Sequence, residues 1–168
     1  MNVNFSPIQG LNYDNSVYNS HRYDKTQFVE QYEPTPYENK YIQSKFNPYQ
    51  KTYPDIQKAC SQKYDKSMVI DNGTVTRVLP EDTQGLKHQL FLIKFPGNRI
   101  VKVAHNIDIA PRIPDLRQGQ KLAIKGEFIK SSNVIHWTHN NDMNKIDSDE
   151  FGGIIVLSKG KDYLRFIT

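Results

Sequence analysis

Histidine is the residue type in this sequence that points most directly to chemistry. Four of the five histidines lie in the C-terminal hundred residues, within the segments 88–89, 105–108 and 136–142. Asparagine, glutamine and aspartate stand beside them in these segments. Imidazole and carboxylate groups are common ligands of divalent metals, and imidazole also titrates near neutral pH. The same residues therefore suit metal binding, acid–base catalysis or recognition of a polar ligand.

Three interpretations of these residues remain open. In the first, the side chains are structural: they satisfy buried strand ends by hydrogen bonds, and Trp137 belongs to the core. In the second, a divalent metal activates water for hydrolysis. Its ligands are then His105, Asp108, His136 and His139, and the catalytic groups are His105, Asp108 and His136. In the third, a polar ligand is bound directly by His88, Gln89, Asn106, Arg112, Trp137 and Thr138.

Several other chemistries have no candidate residues. Cys60 is the single cysteine, so the sequence excludes an internal disulfide and a multi-cysteine zinc site. It contains no serine-centred nucleophile turn and no glycine-rich phosphate loop. Lysine and arginine number 22 against 18 aspartate and glutamate, a formal charge of +4. This mild excess permits nucleic acid or another polyanion as a partner without arguing for one.

Short alternating apolar runs predict the strands that would position the histidines. They lie at 68–79, 88–95, 99–105, 121–129 and 134–139, with a late strand near 153–157. Gly73 predicts a bend in the first strand, and residues 96–98 predict a hairpin turn. The order favours an all-β fold, a small five-stranded OB-like barrel of the oligonucleotide- and oligosaccharide-binding type. An SH3-like or other Greek-key barrel is the competing prediction.

The register of the predicted hairpin decides which polar residues meet. With a three-residue loop at 96–98, His105 faces Gln89 and His88 faces Asn106. A two-residue loop would place His88 opposite His105. We expect the three-residue loop, because it keeps the apolar face of the hairpin continuous. Either register brings these residues to one end of the hairpin.

The fifth strand argues against a ready-made metal pair. On a regular strand, residues three apart point to opposite faces, so His136 and His139 should separate. They can share one site only if a bulge or the end of the strand reorients one of them.

The first 66 residues differ in composition from the rest. Nine of the ten tyrosines lie in residues 1–64, among many asparagines, glutamines and prolines and only scattered aliphatic residues. This composition predicts an extended or disordered arm over 1–66, with short helices near 25–32 and 55–63, followed by a β-barrel domain over 67–168. The arm is a solvated tail, a segment that anchors a protein partner through its tyrosines, or a segment whose tyrosines stack on single-stranded nucleic acid.

Five short segments between about residue 73 and 155 stand out together. They are Ala-His-Asn-Ile-Asp-Ile-Ala-Pro-Arg-Ile at 104–113 and Ile-His-Trp-Thr-His at 135–139, with Gly-Thr-Val at 73–75, His-Gln at 88–89 and Gly-Glu-Phe at 126–128. In these segments the chain resembles a bacterial family known as domain-of-unknown-function family 3465. It implies a small β-barrel and supplies no activity. The family's pattern continues with Asp-Pro and later His and Gly-Trp, whereas this chain has Asn-Asp-Met at 141–143 and Phe-Gly-Gly-Ile at 151–154.

These observations lead to one hypothesis and two alternatives. The leading hypothesis is a binding module whose histidine-, aspartate- and asparagine-lined site holds a nucleic acid or another polar polymer. The first alternative is a metal-dependent hydrolase, in particular a nuclease, with a divalent metal as cofactor. The second is a structural or interaction protein docked through the N-terminal arm.

No apolar stretch is long enough for a membrane span, and no signal peptide is visible. These features predict a cytoplasmic location, although similar family members often look exported.

Overall fold

The structure is a computed structural model that describes residues 32–47, 50–82, 85–139, 152–157 and 165–167. Two α-helices precede a run of strands within these ranges. In chain order the elements are α1 Pro36–Phe46, α2 Ile56–Ser61, β1 Lys66–Val78, β2 His88–Phe95, β3 Arg99–Asn106, β4 Lys121–Ile129, β5 Val134–His136, β6 Gly153–Leu157 and β7 Arg165–Ile167. None of the helices described is long and apolar enough to cross a membrane.

The first five strands close a barrel. β1 pairs with β2, β2 with β3, β3 with β5, β5 with β4, and β4 returns to β1. The contact between β3 and β5 is parallel, and the other contacts are antiparallel. This cyclic order is that of an OB-type barrel, so the predicted fold class is confirmed and the SH3-like alternative is wrong. β6 and β7 extend the sheet beyond β4.

β1 serves both sides of the closed barrel because its partner strand changes beside Gly73. The residues up to Thr74 pair with β4, and those from Thr74 onward pair with β2. The register with β2 shifts between Val75 and Arg77, two residues beyond Gly73. A Cβ atom at Gly73 would collide with the backbone oxygen of Lys94, so only glycine allows the strands to approach so closely there.

Alternate residues of the five strands fill the barrel interior. The core contains Val75, Phe91, Ile93, Val101, Val103, Leu122, Ile124, Phe128 and Ile135, all essentially inaccessible to solvent. α2 adds Ile56 and Ala59 to this core. α1 instead packs outside the barrel, where Ile42 and Phe46 contact a second cluster formed by Ala123, Ile155 and Leu157.

The helices only partly match the sequence prediction. α2 lies inside the range predicted at 55–63, and Asp55 caps its N-terminus. α1 was not predicted. It begins with a capping box in which Thr35 and Glu38 bond each other's backbone, and Pro36 occupies its first turn. The helix predicted near 25–32 lies outside the described residues apart from its last position.

Strand positions follow the prediction closely, with one correction. β2 and β4 have the predicted limits, the late strand is present as β6, and β7 was not predicted. β5 was predicted to continue to His139 but ends at His136. The reason is Trp137, whose φ of 56° lies in the left-handed region that no strand residue adopts.

Candidate functional site

The register of the β2–β3 hairpin divides the predicted polar residues into two groups. His88 pairs with Asn106 and Gln89 pairs with His105, as expected for the three-residue turn at 96–98. Neighbouring residues of a strand point to opposite faces. Gln89 and His105 are buried, on the inner side with the core, whereas His88 and Asn106 lie on the outer side.

His105 is held inside the protein through both ring nitrogens. Its Nε2 lies 2.9 Å from the carbonyl oxygen of Pro111, and its Nδ1 lies 2.8 Å from the hydroxyl of Thr138. Burial lowers the pKa of His105, so the neutral ring is favoured. Since a carbonyl only accepts, Nε2 carries the proton and Nδ1 accepts from Thr138. This arrangement joins the β3–β4 connection to the chain that follows β5.

Gln89 makes a second inner contact with the same connection. Its Oε1 accepts from the backbone nitrogen of Ile113 at 2.7 Å, and its Nε2 donates to the carbonyl of the same residue at 3.3 Å. A side-chain amide that pairs with both backbone groups of one residue holds that residue as a strand neighbour would. Gln89 and His105 together fasten the segment 111–113 beside the barrel.

Two other predicted site residues also bond within the protein. Asp108 accepts from the backbone nitrogen of Lys87 at 2.8 Å, which ties the β3–β4 connection to the residue before β2. The guanidinium of Arg112 is hydrogen-bonded to the carboxylate of Glu81. Arg112, Glu81 and Gln89 line a cleft of about 390 Å³ beside the β3–β4 connection. The positive charge of Arg112 in this cleft is already matched by a carboxylate.

The outer group lines a separate pocket of about 250 Å³, which we call the histidine pocket. It lies beside the start of β2 and the ends of β3 and β5. Its lining residues are Leu86, His88, Ala104, Asn106, Ile109, His136, Trp137 and His139. Among the described residues, the lining contains three imidazoles and one amide but no lysine, arginine, aspartate or glutamate.

Trp137 makes this pocket possible. Its left-handed backbone turns the chain at the end of β5, so that His136 and His139 line the same pocket instead of pointing to opposite faces. Its side chain is 51% exposed, which corrects the interpretation that placed Trp137 in the core. The His136 and Trp137 rings meet edge to face, with centroids 6.1 Å apart and planes at 82°.

Glycines let neighbouring chain pass close to this turn. A Cβ atom at Gly152 would collide with the carbonyl group of Trp137, and Gly152 donates its N–H to the His139 carbonyl at 3.2 Å. A Cβ atom at Gly126 would lie 2.8 Å from the carbonyl oxygen of His136. Both glycines therefore help to fix the end of β5.

Two carboxylates stand beside the outer histidines. Glu127 lies opposite His136 in the β4–β5 pairing, and its Oε2 is 2.7 Å from Nε2 of that imidazole. Asp82 lies 3.9 Å from Nδ1 of His88. Glu127 was not among the site residues predicted from the sequence. The available signal was its place in the Gly-Glu-Phe segment that contributes to the family resemblance.

His139 is the pocket residue with an unsatisfied polar atom. It is 6% exposed, and its buried Nδ1 has no hydrogen-bond partner among the described residues. Burial, together with the nearby His105, His136 and His88, lowers the pKa of His139 to about 4. The ring is therefore neutral at neutral pH.

The described residues do not assemble a metal site. No group of three or more histidine, cysteine, aspartate and glutamate side chains among them is placed to hold a metal ion. Of the proposed ligands, His136 and His139 share the histidine pocket. His105 has both nitrogens bonded inside the protein, and Asp108 is not part of the pocket lining. The divalent-metal set stays a prediction that this geometry does not support.

Comparison with known proteins gives the family. No curated protein matches the chain. The model of the family DUF3465, described as "Protein of unknown function", matches residues 43–152. The match begins thirty residues before the start at 73 that the resemblance indicated, and it includes α2 and all five barrel strands. It covers about two thirds of the sequence. The chain therefore belongs to the protein family DUF3465.

Proposed function

We propose that this chain is a nucleic-acid-binding module whose barrel holds a single strand on the outer face of β2, β3 and β5. The observation that carries the proposal is the half-exposed Trp137 at the rim of the histidine pocket. Exposed aromatic rings are the surfaces on which proteins of this fold stack the bases of single strands. The face formed by the second and third strands is also the usual binding face of OB barrels.

The charges of this face suit a polyanion. Lys94 and Lys102 lie on the outer face of the hairpin, and β2, β3 and β5 contain no aspartate or glutamate. Lys102 lies opposite Leu92 in the hairpin, on the same outer face as His88. A carbohydrate polymer would also stack on a tryptophan, but an uncharged polymer does not require cationic strands. The charge pattern therefore favours nucleic acid over the other polar polymers.

Apolar side chains complete the rim. Leu86 is 57% exposed and Ile109 is 45% exposed, and both line the histidine pocket next to Trp137. Together with the tryptophan they form an apolar edge beside a cationic sheet face. Flat bases bind to such an edge while their phosphates remain near the lysine side chains.

Fluorescence titration tests the proposal, because Trp137 is the only tryptophan in the chain. The full chain is titrated with single-stranded oligonucleotides of about 12 nucleotides, within the known range of site sizes for this fold. We expect the tryptophan emission to change on binding and the affinity to fall as salt rises. Binding without salt dependence, or the absence of binding at low salt, would contradict the proposal.

Matched lysine variants show whether the proposed face carries the binding. Lys102→Gln should weaken binding and reduce the slope of log affinity against log salt by about one. Lys58→Gln is the control, because Lys58 lies on α2 and its side chain is 75% exposed. Equal loss of affinity in the two variants would place the strand elsewhere.

A second candidate function is hydrolysis of the bound strand, which the pairing of Glu127 with His136 favours. A carboxylate that fixes the orientation of an imidazole prepares it for acid–base catalysis. The oligonucleotides recovered from the titration are examined on a denaturing gel, with and without a chelator. Cleavage by wild type but not by His136→Ala would support this candidate, and chelator sensitivity would identify the metal-dependent form. Intact RNA and DNA in every sample would reject it.

A further inference from the structure

Resting on the proposed function, we infer that the histidine pocket is a base-binding subsite. It accepts one unstacked nucleobase of the bound strand, which stacks on Trp137 at the rim and forms a hydrogen bond with Nδ1 of His139. The proposal adds a defined ligand group and defined residue roles to the general binding face.

The size of the pocket suits one ring system. Its volume is about 250 Å³, which is below the roughly 300–1,000 Å³ of pockets that enclose a drug-sized ligand. The pocket lies at one end of the cationic face, beside the end of β3 and the start of β2. One base turned out of a strand that follows β2 and β3 reaches such a position without the whole strand entering the pocket.

An unsatisfied polar atom identifies the hydrogen-bonding group. Nδ1 of His139 is buried and has no partner among the described residues, although buried polar atoms in proteins are nearly always bonded. A ligand that enters the pocket can supply the missing partner. A neutral imidazole offers one donor and one acceptor, and the edges of nucleobases present both kinds of group.

The charge of the pocket favours a base over a phosphate. Its lining residues include no lysine or arginine, so a phosphate would lose its hydration without gaining a permanent positive partner. The cationic residues Lys94 and Lys102 lie instead on the strands beside the pocket. Phosphates therefore belong on the sheet face, and the pocket belongs to a base.

The backbone of Trp137 supports a role in ligand binding. A bulky residue with a φ of 56° is a genuine outlier, and such residues cluster at ligand sites. Gly152 closely approaches the Trp137 carbonyl, and the indole meets the His136 ring edge to face. The surrounding residues thus hold the indole half-exposed at the pocket rim.

The test compares two oligonucleotides of equal length and charge. One carries thymine at every position, and the other has abasic sites throughout, so that only the bases are missing. Wild-type protein should bind the base-bearing strand at least about tenfold more tightly, the range expected for stacking of a base on an aromatic side chain. Trp137 emission should change only with the base-bearing strand.

Variants of the full chain show whether the histidine pocket is responsible for the preference for the base-bearing strand. His139→Leu should weaken binding of the base-bearing strand by about fivefold or more, consistent with one lost hydrogen bond, and leave the abasic strand unaffected. His139→Asn keeps a polar group and is measured alongside, so that a folding defect of the leucine variant does not decide the result. Tyr64→Ala removes an exposed aromatic that does not line the pocket and is the control.

The outcomes separate this inference from the proposed function. Equal, salt-dependent binding of both strands would overturn the base subsite and leave nucleic-acid binding intact. Equal loss of base-bearing and abasic binding in His139→Leu would also overturn the subsite. Failure of both strands to bind wild type would overturn the subsite and the proposed function together.

Discussion

On both β2 and β3, neighbouring residues have different roles because they point to opposite faces of the sheet. Gln89 and His105 face the interior, where they hold the β3–β4 connection in place. His88 and Asn106, one position away, face the outer pocket. Residue type alone does not distinguish the two roles, since an imidazole suits both. The register distinguishes them, and it follows from the length of the turn at 96–98.

The inner role of His105 predicts a stability effect. His105→Ala should lower the free energy of unfolding by about 2–4 kcal/mol, because it leaves a cavity and removes the bonds to Pro111 and Thr138. Urea denaturation followed by circular dichroism measures this change. His88→Ala is the matched control and should cost less than about 1 kcal/mol, because His88 is partly exposed and lies 3.9 Å from a carboxylate that is partly exposed as well. Similar costs for the two variants would refute the division into inner and outer residues.

Asp71 predicts a pH effect of defined sign. Burial raises the pKa of Asp71 to about 6, although its carboxylate accepts from the backbone nitrogens of Ile56 and Asn72. The folded state therefore holds a proton that the unfolded state has lost, so this group makes stability fall as pH rises from about 4 to about 6. Asp71→Asn removes that titration, because asparagine stays uncharged.

As pH rises, the free energy of unfolding of Asp71→Asn should therefore increase relative to that of wild type. The change between pH 4 and pH 7 should be at most roughly 3 kcal/mol, since one pKa unit corresponds to about 1.4 kcal/mol. Urea denaturation at several pH values measures it, with the exposed Asp115→Asn as control. A difference that stays constant, or that moves against the variant as pH rises, would show that Asp71 is not buried as described.

Among the helices and strands, the positions of the strands could be predicted from the sequence, but their irregularities could be predicted only in part. β2 and β4 have the predicted limits because each is an apolar run of strand length that turn residues bound. The end of β5 was missed because nothing in the local pattern indicates a left-handed Trp137. α1 was missed because its buried face has only two apolar residues, Ile42 and Phe46, and these pack on Ala123 of the barrel. Such a contact depends on tertiary structure, which local periodicity does not encode.

Contacts that depend on tertiary structure also limited the prediction of the candidate site. The sequence predicted that the polar residues gather at one end of the hairpin, and the hairpin register confirms the expected pairs. The contribution of Glu127 was missed because it depends on the pairing of β4 with the short β5. Cross-strand partners become visible only when the register of both strands is known.

The close approach of β1 to β2 at Gly73 predicts how much one added methyl group would destabilise the protein. Gly73→Ala should destabilise the protein by about 3 kcal/mol, because the new Cβ meets the backbone oxygen of Lys94 and the strands must separate. Gly119→Ala is the control: no atom lies near its Cβ, and only its φ of 83° opposes the substitution, at about 1 kcal/mol. Thermal or urea unfolding of both variants compares the costs. A smaller loss at position 73 than at 119 would contradict the close approach.

At the scale of the whole molecule, the helices and the proposed binding face occupy different parts of the barrel. α2 contributes to the barrel core, and α1 packs on β6 and on the outer side of β4. Lys125 of β4 is buried beneath this region, where its Nζ donates to the Phe46 carbonyl at 2.8 Å and lies 4.4 Å from the ring centre of Tyr53. Neither helix contributes to the histidine pocket.

This arrangement bears on the predicted N-terminal arm. The described residues from 32 to 61 include two helices that pack on the barrel, and the family match begins at residue 43, before the predicted domain boundary at 66. That boundary, and the docking of a protein partner through residues 1–66, stay predictions. The cationic sheet face remains the surface through which we expect the molecule to bind its ligand.

NMR mapping of the bound strand shows directly which face of the barrel binds nucleic acid. The full chain, labelled with nitrogen-15, is titrated with an unlabelled single-stranded oligonucleotide at low salt. We expect amide shift changes concentrated in β2, β3 and β5 and in residues 85–88 and 137–139, with little change in α1 or α2. Shift changes centred on α1 and β6, or none at a concentration that saturates binding, would refute binding at this face.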